Sequence, residues 1–418
     1  MLPFNLCQNR VRNLEKWKTD DWFVSHYNYA DEARKGFHLP ERVQIHDITL
    51  RDGEQQAGII FRKEEKLEIA RALDEAGVDR IEAGMPAVSK QDMAAIKAIT
   101  HEGLSAKIFA FSRCAKSDID LARQCDVDGV ITEIPSSDHI LEYAYGWSQE
   151  HAIQLSVEAT SYAAEHGLHV AFFTIDATRA SFETCWKLVN AVASEGHMDS
   201  LVMVDTFGVC SPEAIRYFVT RMKERIKKPI EIHCHNDFGL AVANTLAAVT
   251  AGVEIVHTTV NAIGERVGNG SLDEIALALE MLYGVKTGIR KERLYDLSKV
   301  VERLSEIDMP PNKPVVGDNA FTTESGIVAG WWNRLEQLNM PLEMFPFKPE
   351  LVGQRPVRVV MGKKSGKDSI AYKARHLGLH IPDDKVEPLL TRVKETSEQK
   401  KRVLTDEEFK LIVREICH

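Results

Sequence analysis

Eight short runs dense in Val, Ile, Phe and Thr alternate with amphipathic helical runs between residues 43 and 284, and this alternation restricts the fold more than any other feature. The β-rich runs are VQIHDITL (43–50), RIEAG (80–84), KIFAFS (107–112), GVITEI (129–134), HVAFFTI (169–175), LVMVDT (201–206), IEIHCH (230–235) and EIVHTTVN (254–261). Strands buried on both faces of a parallel sheet read this way. Segments such as KEEKLEIARALDEAG (63–77), SPEAIRYFVTRMKERI (211–226), GLAVANTLAAVTAG (239–252) and SLDEIALALEMLYG (271–284) gather apolar residues on one helical face. Eight strand–helix units spaced by roughly 30 residues predict an α/β fold of the closed (β/α)8, or TIM-barrel, type. A doubly wound open sheet competes with it. That topology needs fewer units and a Gly-rich first turn, and no GxGxxG follows the first run.

The 418 residues accommodate a barrel of about 250 residues and an appendage. Residues 1–40, rich in Trp, Tyr and charge, read as an N-terminal helical arm, 41–290 as the barrel, and 291–418 as an α-rich appendage. The pair Trp331-Trp332 reads as packing of that appendage on the barrel. A net charge of −10 argues against bulk binding to nucleic acid or to an anionic membrane, while leaving room for an anionic substrate in a locally basic cleft. The seven cysteines are odd in number and form no CxxC pair, as in a reducing compartment. No signal-peptide core opens the chain and no stretch approaches ~20 apolar residues, so a cytoplasmic location is expected.

In such a barrel the chemistry collects at the C-terminal ends of the strands. Polar residues gather there: Arg51, Asp52 and Glu54 after the first run, Glu82 at the end of the second, Arg113 after the third, Asp205 and Thr206 at the end of the sixth. His233 and His235 end the seventh, and Asn261, Glu265, Arg266 and Asn269 follow the eighth. His233 and His235 are two apart on a strand and so point to one face. With Asp52 they offer two nitrogens and one oxygen, a set suited to Mg2+, Mn2+ or Zn2+ with positions left open for substrate. Asn269 adds a further oxygen. Arg51 and Asp52 are neighbours whose side chains should diverge, one to the metal and one to an adjacent anion. A salt bridge from Arg51 to Glu82 is an alternative compatible with that role.

These residues resemble a known family. Asp47-Ile48-Thr49-Leu50-Arg51-Asp52-Gly53-Glu54-Gln55 resembles the DTTLRDGEQ signature of the 2-isopropylmalate, homocitrate and citramalate synthases, a metal-dependent group that also includes 3-hydroxy-3-methylglutaryl-CoA lyase. His233-Cys234-His235-Asn236-Asp237 matches its HCHND motif, Asn261–Asn269 its NGIGERAGN loop and Asp205–Gly208 its DTVG strand end. The resemblance implies Asp52, His233 and His235 as metal ligands, with Asn269 added, and Arg51 as electrophilic catalyst. Glu82 and Glu265 join Arg51 as candidate catalytic residues. Arg51, Arg113, His139, Asp205, Thr206 and Glu324 are candidate substrate contacts. The implied reaction condenses acetyl-CoA with a metal-chelated 2-oxo acid and hydrolyses the thioester, releasing CoA and a 2-hydroxy-2-carboxymethyl diacid. A homodimer is implied as well.

The loop after the eighth run carries Glu265 and Arg266 and no cysteine, which favours synthases over lyases. Residues 317–328 resemble the synthase NAFAHESGIH segment and Gly362–Gly366 their GKHSG. Three departures stand out. Thr323 and Val328 replace the two histidines of HESGIH, and Ile175 stands where the synthases usually carry Glu before DATR. The first of those histidines is the family's group for proton transfer at the acetyl methyl, so another must serve here, with His139, Glu324 and Tyr143 as candidates. A metal-dependent lyase or aldolase acting on a 3-hydroxy acid or its CoA thioester is the alternative reading, and a non-catalytic binding module a third. Too little chain follows the appendage for a leucine-sensing domain, so no leucine feedback is expected.

Overall fold

The computed structural model describes residues 15–417. Eight parallel strands close into a barrel in sequence order: β1 (Gln44–Asp47), β2 (Arg80–Glu82), β3 (Lys107–Arg113), β4 (Gly129–Pro135), β5 (His169–Ile175), β6 (Ser200–Asp205), β7 (Ile230–Cys234) and β8 (Ile255–Thr258). β8 pairs with β1 from Gln44↔Ile255 to Asp47↔Thr258, which removes both sheet edges and excludes the open-sheet topology. The intervening helices are α1 (Lys63–Ala76), α2 (Lys90–Thr100), α3 (Lys116–Gln124), α4 (Gln149–Glu165), α5 (Phe182–Glu195), α6 (Pro212–Arg225), α7 (Ala241–Thr250) and α8 (Leu272–Ala278).

Serines set the start of several helices. Ser89, Ser148, Ser181 and Ser211 each accept a backbone N–H three residues on, at the first turns of α2, α4, α5 and α6. Each such cap contributes about 1 kcal/mol. The barrel interior is filled by Phe109, Phe111, Ile131, Ala171, Phe173, Val202 and Val204. Polar side chains share that interior: His46, Glu82, Glu231, His233 and His257 are all within 1% of fully buried.

The chain divides into two compact units, Ala30–Met309 and a second made of the segment up to Tyr29 together with Pro310 onward. The first includes α9 (Leu294–Ser305), which lies beyond the boundary expected near residue 290. The second contains a two-stranded parallel pair, β9 (Thr322–Thr323) with β10 (Arg358–Val359), and helices α10 (Gly326–Gln337), α11 (Lys367–Leu377), α12 (Val386–Lys400) and α13 (Asp406–Cys417). Its core holds Met361, Ile370, Leu389, Val393, Phe409 and Ile412. Trp332 is buried in the same unit against Val359 and Tyr372, whereas Trp331 is exposed, so the tryptophan pair does not pack as one.

The N-terminal arm is not helical over its described part. Residues 15–40 contain one short 3-10 turn, His26–Tyr29, and extended bridges at Glu15↔Lys18, Lys18↔Phe23 and Trp22↔Phe347. Thr19 turns the chain by accepting the N–H groups of Asp21 and Trp22, and the resulting pairing with residue 347 competes successfully with local helix formation. Residues 1–14 of the expected arm lie outside the described residues. Among the described residues no helix is long and apolar enough to cross a membrane.

Candidate active site

Asp52 reaches the barrel mouth from a turn, not a strand. β1 stops at Asp47, whose carboxylate accepts the Thr49 N–H at 2.9 Å. Thr49 Oγ1 accepts the Val260 N–H at 2.9 Å, and the Gly53 N–H returns to the Ile48 carbonyl at 3.1 Å. The turn cancels strand alternation, so the expected divergence of Arg51 and Asp52 does not occur. Arg51 Nη1 donates to Asp52 Oδ2 and to Gln55 Oε1, each at 2.9 Å, while its Nε pairs with Glu82. The guanidinium lies 4.1 Å from the Phe111 ring centre.

His233 and His235 do share a face. Their Nε2 atoms are 3.1 Å apart, and Asp52 Oδ2 lies 3.7 and 3.8 Å from them. Burial holds both imidazoles below the usual histidine pKa, which keeps their lone pairs available. Burial opposes the charge of Asp52, but Arg51, the two histidines and a hydrogen bond from Asn269 outweigh it and hold the carboxyl well below its usual range. Asn269 Nδ2 donates to Asp52 Oδ1 at 2.7 Å, and its own buried Oδ1 has no hydrogen-bond partner. Two neutral nitrogens and one carboxylate oxygen, buried and all within 4.8 Å of one another, are a donor set that fits a divalent cation.

The loop after β8 presses on this set. Gly264 has φ +154, and a Cβ there would lie 2.1 Å from Asn269 Nδ2 and 2.9 Å from Asp52 Oδ1. Gly268 has φ +88, and a Cβ would meet the Ala262 carbonyl oxygen at 1.8 Å. Only glycine lets the backbone come this close to Asp52.

The other expected site residues are placed as follows. Glu82 is fully buried and ion-paired with Arg51. Glu265 exposes its carboxylate; its backbone N–H is what reaches the site, 3.3 Å from Asp52 Oδ1. His139 Nε2 is 2.8 Å from Asp176 Oδ2, a His–Asp pair just past β4 and β5. Three assignments as substrate contacts meet side chains already engaged. Arg113 grips both oxygens of Asp118, at 2.7 and 2.9 Å. Asp205 has no exposed surface, and it accepts from Thr178 Oγ1, the Val209 N–H and the Cys210 N–H, so it organises the loop after β6. Thr206 Oγ1 accepts the Asp176 N–H at 2.8 Å. Glu324 belongs to the other compact unit, where it accepts the Lys364 N–H at 2.9 Å.

Glu133 was not singled out from the sequence, although a lone carboxylate in the apolar run of β4 was a signal. Burial pushes it up to about 7, against the opposing pull of Arg51 and Arg113. A carboxyl raised in the folded state binds its proton there when the unfolded chain has already lost it. Wild-type stability should therefore fall, relative to Glu133→Gln, as pH rises from about 4.5 through about 7. Urea unfolding midpoints across that window measure this, and a constant difference between the two proteins would count against it.

The sequence model of the HMGL-like family matches residues 42–301, and that of the homocitrate synthase post-HMGL domain-like family matches residues 315–401. The chain is 44% identical over 388 residues to homocitrate synthase AksA of Methanopyrus kandleri, covering 93% of this chain and 96% of that protein. It is 42% identical over 389 residues to 2-isopropylmalate synthase of Methanocaldococcus jannaschii, covering 92% and 74%. Among solved structures, HMG-CoA lyase of Bacillus subtilis superposes with a TM-score of 0.60 at 19% identity, covering 65% of this chain and 96% of that one, a likeness of fold.

Proposed function

Because the chain belongs to the HMGL-like family and continues into a homocitrate synthase post-HMGL domain-like segment, we propose that it condenses acetyl-CoA with a 2-oxo acid and releases CoA. The observation that carries this reading is the buried convergence of Asp52, His233 and His235 beside the Arg51 guanidinium. Both named synthase relatives match most of this chain.

Asp52, His233 and His235 would hold a divalent cation, with Asn269 orienting Asp52. When bound, the cation supplies Lewis-acid polarisation of the acceptor's keto group. Arg51 faces the same region and stabilises negative charge as the carbonyl oxygen acquires it. Glu82 fixes the guanidinium from behind, and burial of both keeps that interaction unscreened. His139, with its Nε2 close to the Asp176 carboxylate, takes a proton from the acetyl methyl. It replaces the family histidine, whose position here is Thr323. Tyr143 is largely exposed. The new carbon–carbon bond joins the methyl carbon to the keto carbon, and water then cleaves the thioester.

The relatives are named for different products at similar identity, so the test is a panel. The protein with Mg2+ or Mn2+ and acetyl-CoA is offered pyruvate, 2-oxoisovalerate, 2-oxoglutarate, oxaloacetate and glyoxylate, and free CoA is followed with a thiol reagent. Release with one acid is expected and identifies the acceptor. Silence across the panel with metal bound would overturn the condensation in favour of lyase or aldolase cleavage, the reading that Thr323 and Val328 motivate.

A further inference from the structure

Below the metal-ligating face, the barrel interior carries a line of polar groups that the condensation does not use. Glu231 and His233 alternate along β7, and both point inward. His257 stands beside them on β8 and is aligned with His46 of β1. His233 Nδ1 is 3.4 Å from His257 Nδ1, and His257 Nε2 is 2.8 Å from Glu231 Oε2. The other carboxylate oxygen, Glu231 Oε1, accepts from Arg80 Nη1 at 2.9 Å and from Ser200 Oγ at 2.5 Å.

This line dictates where each proton sits. With Arg80 and Ser200 donating to one oxygen, Glu231 is an acceptor, so His257 must carry its proton on Nε2. Its Nδ1 is then a lone pair and accepts the Nδ1–H of His233. The Nε2 of His233 is left with its lone pair directed at Asp52 and His235. A ligating imidazole is usually held in this way by a carboxylate or carbonyl on its second nitrogen; here a second imidazole stands between them. His235 lacks such support, since its buried Nδ1 has no partner. The same groups, with His46, lie close enough to suggest a second cation site. The Arg80 charge on Glu231 argues against that.

We infer that Glu231 and His257 form a relay that locks His233 in its metal-binding tautomer and so sets the affinity of the metal centre. They are positioning residues, and the inference rests on the proposed Asp52–His233–His235 centre. The test uses Mn2+ alone, with free Mn2+ read by electron paramagnetic resonance, on the full chain. His257→Phe removes the acceptor at similar volume and should weaken Mn2+ binding by about 10- to 100-fold. Glu231→Gln can present an amide N–H to His257 and reverse the relay, with a loss of about 10-fold; nearly isosteric, it keeps the test decisive if the Phe variant does not fold. In 15N spectra of histidine-labelled metal-free protein, His233 should be the Nδ1–H tautomer in the wild type and should leave it in both variants. Ile131→Val alters the barrel interior outside the relay and should leave affinity and tautomer unchanged. Wild-type affinity in His257→Phe and Glu231→Gln, or equal weakening in Ile131→Val, would overturn the relay. Failure of the wild type to bind Mn2+, or wild-type affinity in Asp52→Ala, would instead remove the metal centre itself.

Discussion

Asp52→Ala should lose its divalent cation and its turnover together. The carboxylate is the only anionic member of the donor set, and without it two neutral imidazoles hold the cation alone. Stoichiometry by elemental analysis after gel filtration should fall from one cation per chain to near zero. Turnover should drop on the order of 10^3-fold, the scale of losing several kcal/mol of carbonyl activation. The substitution also leaves the Glu265 N–H without its acceptor and strips Asn269 Nδ2 of its shorter hydrogen bond. His235→Ala, which disturbs neither bond, should therefore show the same joint loss with a smaller change in melting temperature. A full complement of cation in both variants would remove the metal reading.

Arg51→Ala should separate binding from chemistry. Arg51 is not a ligand, and removing a positive charge beside Asp52 should leave cation affinity equal or higher. The chemical step should slow by about 10^2- to 10^3-fold, as when one donor to a developing oxyanion is lost. The same change leaves Glu82 buried and unpaired, which costs about 3–5 kcal/mol of stability. Arg51→Lys retains the charge without the planar fork that serves Glu82, Asp52 and Gln55 at once. It should recover part of the stability and little of the rate. A double variant, Arg51→Met with Glu82→Leu, should regain stability and remain inactive. Calorimetry beside kcat measures both arms, and a double variant with wild-type turnover would end the catalytic assignment.

The barrel was legible because its strands are continuous apolar runs and its helices gather apolar residues on one face. The histidine pair was legible because spacing of two on a strand fixes a shared face whatever surrounds it. Arg51 and Asp52 show where that logic stops. The bonds of Asp47 with Thr49 and of Thr49 with Val260 turn the chain before them, and the second of these joins residues 211 apart in sequence. Asp205 looked like a mouth residue by position, yet Thr178, Val209 and Cys210 claim its oxygens, a matter of loop geometry rather than pattern. Glu133, Glu231 and His257 were hidden by the reading that found the barrel, since each sits inside a run identified by its apolar neighbours. In the arm, pairing of Trp22 with Phe347 displaced the helix that local composition suggested.

The placement of the cation's donors has a consequence for assembly. Asp52 hangs from the turn after the first strand and the two histidines from the end of the seventh, with the β1–β8 junction between them. On the proposed reading, a cation held by both sides would be a clasp across the seam where the first strand meets the eighth. Its complete binding site exists only in the shut barrel, so opening the seam and releasing the ion are one event. By mass action, each tenfold rise of free cation above its dissociation constant then adds about 1.4 kcal/mol to the closed state.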